Sequence, residues 1–379
     1  MAKKIARITA HRLKECEISM EKWAHFTKWK TSDEWIDDPV FGKEWVGPTC
    51  VLYNPNDGLV YVGMTSLAGD VFYTFDPRTD TWASLNYPGS RDRYGSKIHQ
   101  CLELDAQGRL YGGIATLGDV DIWPKARGGE LFRYDPKTRE YEFLCIPIAH
   151  DYLQATIMDR KRGIIYGDTF PGRKLFRYDI ATNQARELTM LGNIAMENLA
   201  MDADGGVWHT YEMMQWAGRH PLLRYDPDRD EIDFLNVDLP DVGSVIRRAG
   251  ANQIDSSLLT KDGRLYIGTS AGVLAQVDHR GPKITYLGKP FPAPRLKGLI
   301  EGEDGLIYGA CGAEYNTHMF TYDPGSRVFT ILGPLVDSRD GTRCWLAHHM
   351  CKVDERTFIV AECDNHARAS FLFKVELEK

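Results

Sequence analysis

Seven of the eleven histidines, His99, His150, His209, His318, His348, His349 and His366, stand beside short apolar runs. Arginines and tyrosines crowd the same places: Arg93, Tyr94 and Lys97 in GSRDRYGSKIHQ, Tyr152 in AHDYLQ, Arg173 in GDTFPGRK, Tyr211 in WHTYEMM, and Arg248 with Asn252 in IRRAGANQ. Guanidinium groups grip carboxylates at two points, aromatic rings stack on sugar faces, and imidazoles move protons near neutral pH. This mixture suits an anionic ligand rich in hydroxyl groups, and a glycan containing uronic acid fits that description. Cleaving it by β-elimination needs a cation or donor set at the carboxylate, a base for the C5 proton and an acid for the leaving oxygen. Arginine can fill the first role, histidine and tyrosine the other two. Glycoside hydrolysis instead calls for two carboxylates across the bond. Glu197, Glu212, Asp168, Asp255, Glu314 and Glu362 are available for it, but spacing singles out no pair.

The elements that must position these side chains are written as a repeat. LFRYDPKTREYEFL at 131 to 144 returns as LFRYDIATNQAREL at 175, LLRYDPDRDEIDFL at 222, MFTYDPGSRVFTIL at 319 and, more loosely, YTFDPRTDTWASL at 73. Each copy follows two alternating runs joined by a D-x-x-G-type turn, as in CLELDAQGRLYGG and LIEGEDGLIYGA, a hairpin signature. Two hairpins make four antiparallel strands per repeat. The residue before the repeated Asp falls at Phe75, Tyr134, Tyr178, Tyr225, Val277, Tyr322 and Val375, spacings of 59, 44, 47, 52, 45 and 53 residues, close to the period of propeller blades.

The sequence therefore predicts an all-β fold, a single seven-bladed β-propeller over 1 to 379, with blades at about 47–86, 97–147, 151–190, 195–240, 252–290, 295–335 and 345–378. The last copy supplies only three strands, so the segment 4–18 is expected to add the fourth and close the ring, which removes exposed sheet edges. Residues 20–46, rich in Trp and charge, read as a lead-in packed on the ring. A pair of β-sandwiches would not require a recurring four-strand phrase.

In a propeller the first strand of each blade lines the central channel, and ligands bind at the mouth where the entry loops meet. Counted back from the D-x-x-G turn, one equivalent position holds Thr49, Gln100, Gln154, Glu197, Asp255, Lys297 and His349, all polar within otherwise apolar strands. Of the mouth residues, His99, Tyr152, His209 and Tyr211 are the catalytic candidates. Arg93, Gln100, His150, Arg173, Glu197, Arg248, Asn252, Lys297, His348 and His349 are the substrate-binding ones. His348 and His349 with His99 or His209 invite a divalent metal, but adjacent residues on a strand point to opposite faces; no metal ligand set is assigned, and a divalent metal is the one cofactor left open.

A net charge of -7 offers no basic field for a phosphate backbone, which argues against nucleic acid. No run approaches eighteen apolar residues, and the start MAKKIARITAHRLKECEISM has no apolar core of a signal peptide, so no membrane span is expected. The chain reads as cytoplasmic, or as secreted or periplasmic after removal of an export signal. Its eight cysteines form no C-x-x-C pair and read as reduced packing residues. Serine-hydrolase, zincin, phosphate-loop and dinucleotide motifs do not occur.

This layout of blades under a His, Tyr and Arg mouth resembles the seven-bladed propeller polysaccharide lyases, the ulvan lyase-like group and its relatives that attack rhamnose-glucuronate linkages. The resemblance implies an uronate lyase with His and Tyr as base and acid. Carried onto this chain it makes His99 and Tyr152 the leading pair, with His209, Arg173 and Arg248 as carboxylate partners. A glycoside hydrolase on a rhamnose-uronate linkage and a non-catalytic propeller that binds a glycan or a protein remain the alternatives.

Overall fold

The computed structural model describes residues 4–17, 30–38, 46–88, 92–192, 198–212, 219, 221–240, 253–365 and 367–379. The chain is all-β, with seven sheets of antiparallel strands arranged as the blades of a propeller. Blades 2 to 6 follow the chain in simple order, each first strand innermost. The strands Val46–Asn54, Leu59–Ser66, Phe72–Asp76 and Thr81–Ser84 form blade 1, and two short strands, Gly95–Lys97 and Ala115–Thr116, extend its sheet beyond Thr65. Blade 7 takes its inner three strands from Ala347–Lys352, Thr357–Glu362 and Leu372–Leu377, and its outermost from Ile5–His11. The N-terminal strand thus closes the ring, as the three-strand final repeat requires.

The repeated phrase is scaffold, and its chemistry explains why it recurs. The Asp of each copy accepts a backbone N–H two residues on, from Arg78, Lys137, Ala181, Asp228 and Gly325. The chain then turns through a left-handed residue, Asp80, Arg139, Asn183, Asp230 or Arg327, with φ between 54° and 61°, a conformation that the Asx turn helps to hold. On the hairpin side the turn residue is a glycine, as at Gly108 (φ 82°) and Gly263 (φ 84°), where a Cβ would be strained.

The aromatic before each Asp is buried and packs on the neighbouring blade. Tyr134 lies 5.8 Å from Phe72, Tyr225 5.6 Å from Tyr166, and Tyr322 6.3 Å from Tyr266, centroid to centroid. Each such ring adds large apolar burial and an edge contact at the joint between blades. The core is therefore a chain of inter-blade clusters around the ring rather than one central mass.

The described part of the lead-in holds a short helix, Ser32–Ile36. Trp35 packs against Cys16, Leu67 and Leu117, while Ser32 donates its hydroxyl to Asp121 at 2.6 Å. Among the described residues no helix is long and apolar enough to cross a membrane.

Candidate functional site

The mouth is built at a bulge in the inner strands. Register shifts fall at Thr49, Gln154, Asp255, Gly298 and His348, each just inside the strand's entry. A bulge leaves one residue out of the ladder and re-aims its side chain. The polar ring counted from the sequence is offset in two blades. Blade 7 has one residue more between bulge and turn, and blade 6 one fewer, so His348 and Gly298 occupy the bulges where the count from the turn gave His349 and Lys297.

On the arc of blades 7, 1 and 2, four polar residues meet, all buried: Thr49, His99, Gln100 and His348. His99 Nδ1 is 2.8 Å from the Gln154 carbonyl and His348 Nδ1 is 2.7 Å from the Thr49 carbonyl. A carbonyl only accepts, so both Nδ1 atoms carry the proton. Gln100 Nε2 also lies 2.9 Å from His348 Nδ1. Its two hydrogens, however, are directed to the carbonyls of Thr49 and His348, each 3.1 Å away. The two Nε2 atoms are left face to face at 3.2 Å. Cys363 and Asp364, just past the second strand of blade 7, complete this arc: a His348 ring nitrogen, Cys363 Sγ and an Asp364 oxygen lie within 4.8 Å of one another.

Blades 3 and 4 supply a second group. Asp168, on the second strand of blade 3, is 0% exposed, and His209, on the second strand of blade 4, is 1% exposed. His209 Nε2 stands 3.7 Å from Asp168 Oδ2. His209 Nδ1 is 2.8 Å from the Thr210 carbonyl, so it donates there and Nε2 keeps its lone pair. Among the described residues, neither oxygen of Asp168 nor His209 Nε2 has a hydrogen-bond partner.

Blades 5 and 6 supply a third. Arg295 grips Asp255 at two points, 2.7 and 2.9 Å, and Lys297 Nζ lies 3.3 Å from the same carboxylate. All three are buried.

The other candidates are held elsewhere. Tyr152 donates its hydroxyl to Asp92 at 2.6 Å, and burial together with that carboxylate pushes its pKa far up. Tyr211 packs edge-on against Phe234 and donates to the Leu235 carbonyl at 3.3 Å, in the joint between blades 3 and 4. Arg93 is an outer-rim residue that pairs with Asp37 at 2.8 Å and Asp33 at 3.3 Å, pinning the short helix. His150 lies against Trp123 and holds the Ala126 carbonyl at 2.7 Å. Arg173 lies over the Phe170 ring at 4.2 Å, at the end of the second strand of blade 3. His349 accepts the Val51 N–H at 3.0 Å, tying blade 7 to blade 1, and burial with Lys297 nearby lowers its pKa to about 4. Glu197, Arg248 and Asn252 lie outside the described residues. Tyr152 and Tyr211 thus stand apart from the buried groups, whereas His99, Gln100, His209, Lys297 and His348 belong to them.

Sequence reasoning missed Arg295, Cys363 and Asp364. Arg295 sits just before the strand Leu296–Glu301 that carries Lys297, with φ 64°, a placement that strand alternation does not reveal. Cys363 and Asp364 follow a second strand directly, at the end where blade 3 presents Asp168 and Thr169.

On the opposite face, a cavity of about 570 Å³ opens between the turns of blades 3 to 5. Its charges are internally paired: Arg162 with Asp159 and Asp228, Arg224 with Asp202 and Asp226, His279 with Asp204. The Arg162–Asp228 and His279–Asp204 pairs fasten neighbouring blades together.

Fold and mouth together define a seven-bladed propeller with buried polar groups at one end of its channel. No family model and no curated relative matches the sequence. Among solved structures it is similar to a streptogramin B lyase, with TM-score 0.61 and 12% identity over 100% of both chains. A catalytically inactive variant of virginiamycin B lyase from Staphylococcus aureus, solved with quinupristin, gives TM-score 0.59 and 12% identity, over 88% of this chain and 96% of that one. U3-55K gives TM-score 0.60 and 10% identity over 99% and 100%. At such identities the likeness establishes the fold.

Proposed function

We propose that the chain is a carbon–oxygen lyase that cleaves uronate-containing oligosaccharides by β-elimination at this mouth, with His209 as the base. The observation that carries the reading is the His209–Asp168 pair: buried, 3.7 Å apart, and without hydrogen-bond partners among the described residues at His209 Nε2 or either Asp168 oxygen. Burying such groups unsatisfied costs several kcal/mol, and the scaffold gains nothing visible from it. A base awaiting a substrate proton, beside a carboxylate that stabilises the imidazolium then formed, accounts for both.

In the elimination the C5–H bond breaks and its proton passes to His209 Nε2. The C5 electron pair forms the C4–C5 double bond, the C4–O bond breaks, and the leaving oxygen takes its proton from water, since His99 and His348 hold their protons at Nδ1 against backbone carbonyls. Arg295 and Lys297, which hold Asp255, supply the cations that a uronate carboxylate would meet. Hydrolysis is less well served, because two of the carboxylates that could act with Asp168 are occupied. Asp255 is held by Arg295, and Glu362 accepts from Arg368, Asn365 and the Trp345 and Phe371 amides. Two fold neighbours carry lyase names, for streptogramin and virginiamycin B and not for a glycan.

The test is a panel of glucuronate- and galacturonate-containing oligosaccharides, with quinupristin as a further arm, followed by unsaturated-uronate absorbance and mass spectrometry. Unsaturated products from the wild type, lost in His209→Gln with folding intact, support the reading. Turnover of quinupristin alone keeps the lyase chemistry and overturns the substrate class. Saturated products, or none from any arm, overturn the reading as a whole.

A further inference from the structure

We propose that His99, His348, Cys363 and Asp364 form a binding site for a zinc-class divalent ion at the channel mouth. Three observations lead to it. Each imidazole donates its Nδ1 proton to a backbone carbonyl, Gln154 for His99 and Thr49 for His348, the outer contact that metal-bound histidines commonly make to fix the tautomer. The two Nε2 atoms then stand 3.2 Å apart. Two nitrogens bound to one tetrahedral ion at about 2.0–2.1 Å stand about 3.3–3.4 Å apart, which matches. Finally, a thiol and a carboxylate lie beside the same imidazole: a His348 ring nitrogen, Cys363 Sγ and an Asp364 oxygen are mutually within 4.8 Å, the thiol donating to Asp364 Oδ1 at 3.5 Å, and His99 joins this group through His348.

The donor set selects the ion. Imidazole and thiolate favour Zn²⁺ and its neighbours over Mg²⁺ and Ca²⁺, which take oxygen ligands. His99 enters from blade 2, and His348, Cys363 and Asp364 from blade 7, so the ion would bridge two blades across blade 1. Its position is separate from the His209–Asp168 pair on blades 3 and 4. The site stands independently of the lyase reading, since metal uptake is measured without substrate.

The experiment uses the full chain, stripped with a chelator and dialysed, then titrated with Zn²⁺ and with Co²⁺, reading metal content by mass spectrometry and cobalt binding by absorbance. The expected result is one ion per chain, with a thiolate-to-cobalt charge-transfer band in the near ultraviolet. Cys363→Ser should remove that band, and His348→Ala should weaken Zn²⁺ at least about 100-fold. Circular dichroism and the denaturation midpoint show whether each variant is folded. His99→Gln, which keeps a polar group of similar size, serves if His348→Ala fails to fold. A folded wild type that takes up no stoichiometric ion overturns the proposal, because the two imidazoles then share a proton. Uptake unaltered in Cys363→Ser and His99→Gln overturns it equally.

Discussion

Glu103 lies on the innermost strand of blade 2, Leu102–Leu104, paired with Tyr111. Burial pushes its pKa from the usual 4.5 up to about 7, with Arg160 and the Met158 backbone opposing only in part. Between pH 4.5 and 7 the folded chain therefore keeps a proton that the unfolded chain has lost. Stability is full below the unfolded pKa and falls as pH rises through the folded one. A rise from 4.5 to about 7 corresponds to about 3.4 kcal/mol at most. Glu103 is only half-buried, and solvent screening reduces this to roughly 2 kcal/mol. Glu103→Gln keeps the shape and removes the charge. Urea denaturation should find the two proteins equally stable near pH 4 and the Gln variant more stable by roughly 2 kcal/mol at pH 8, with unchanged m-values. Equal stability at pH 8, or a difference independent of pH, would refute the assignment of the shift to burial.

Tyr152→Phe should leave lyase turnover intact and lower stability by about 1 kcal/mol, as expected for one lost hydrogen bond, because Asp92 keeps the Tyr94, Gly95 and Arg127 amides; loss of turnover in steady-state assays would restore Tyr152 to the catalytic set. Lys297→Met should lower kcat/KM on a uronate substrate about 10- to 100-fold, the range for a charge-assisted contact, and a neutral glycan control should not respond. Arg368→Ala should destabilise by about 3–5 kcal/mol in chemical denaturation, since it leaves the fully buried Glu362 without its cation.

The blade count was legible because scaffold chemistry repeats: an Asx turn, a left-handed residue and an inter-blade aromatic serve the same purpose in each copy. Closure by the N-terminal strand followed from the three-strand final repeat. Legibility fell where geometry depends on strand offset. One residue added between bulge and turn in blade 7 moves the channel position from His349 to His348, and a count from the turn does not register it. The tyrosines show another boundary. Sequence places Tyr152 at a strand entry but does not reveal that its hydroxyl meets Asp92, 60 residues earlier. Cys363 and Asp364 looked ordinary because their neighbours, His348 and through it His99, are brought near only by pairing within blade 7 and by ring closure.

That closure has a kinetic meaning. The strand Ile5–His11 leaves the ribosome well before Leu372–Leu377, with which it pairs, so at ~5–20 residues per second it waits on the order of tens of seconds for its partner. Until then blade 7 does not exist, and neither does His348 beside His99. The two ends then lie side by side, the Glu378 amide 2.8 Å from the Lys4 carbonyl. Spliced there and reopened in a loop between other blades, the circle would keep every contact of the mouth while changing which blade waits for its missing strand.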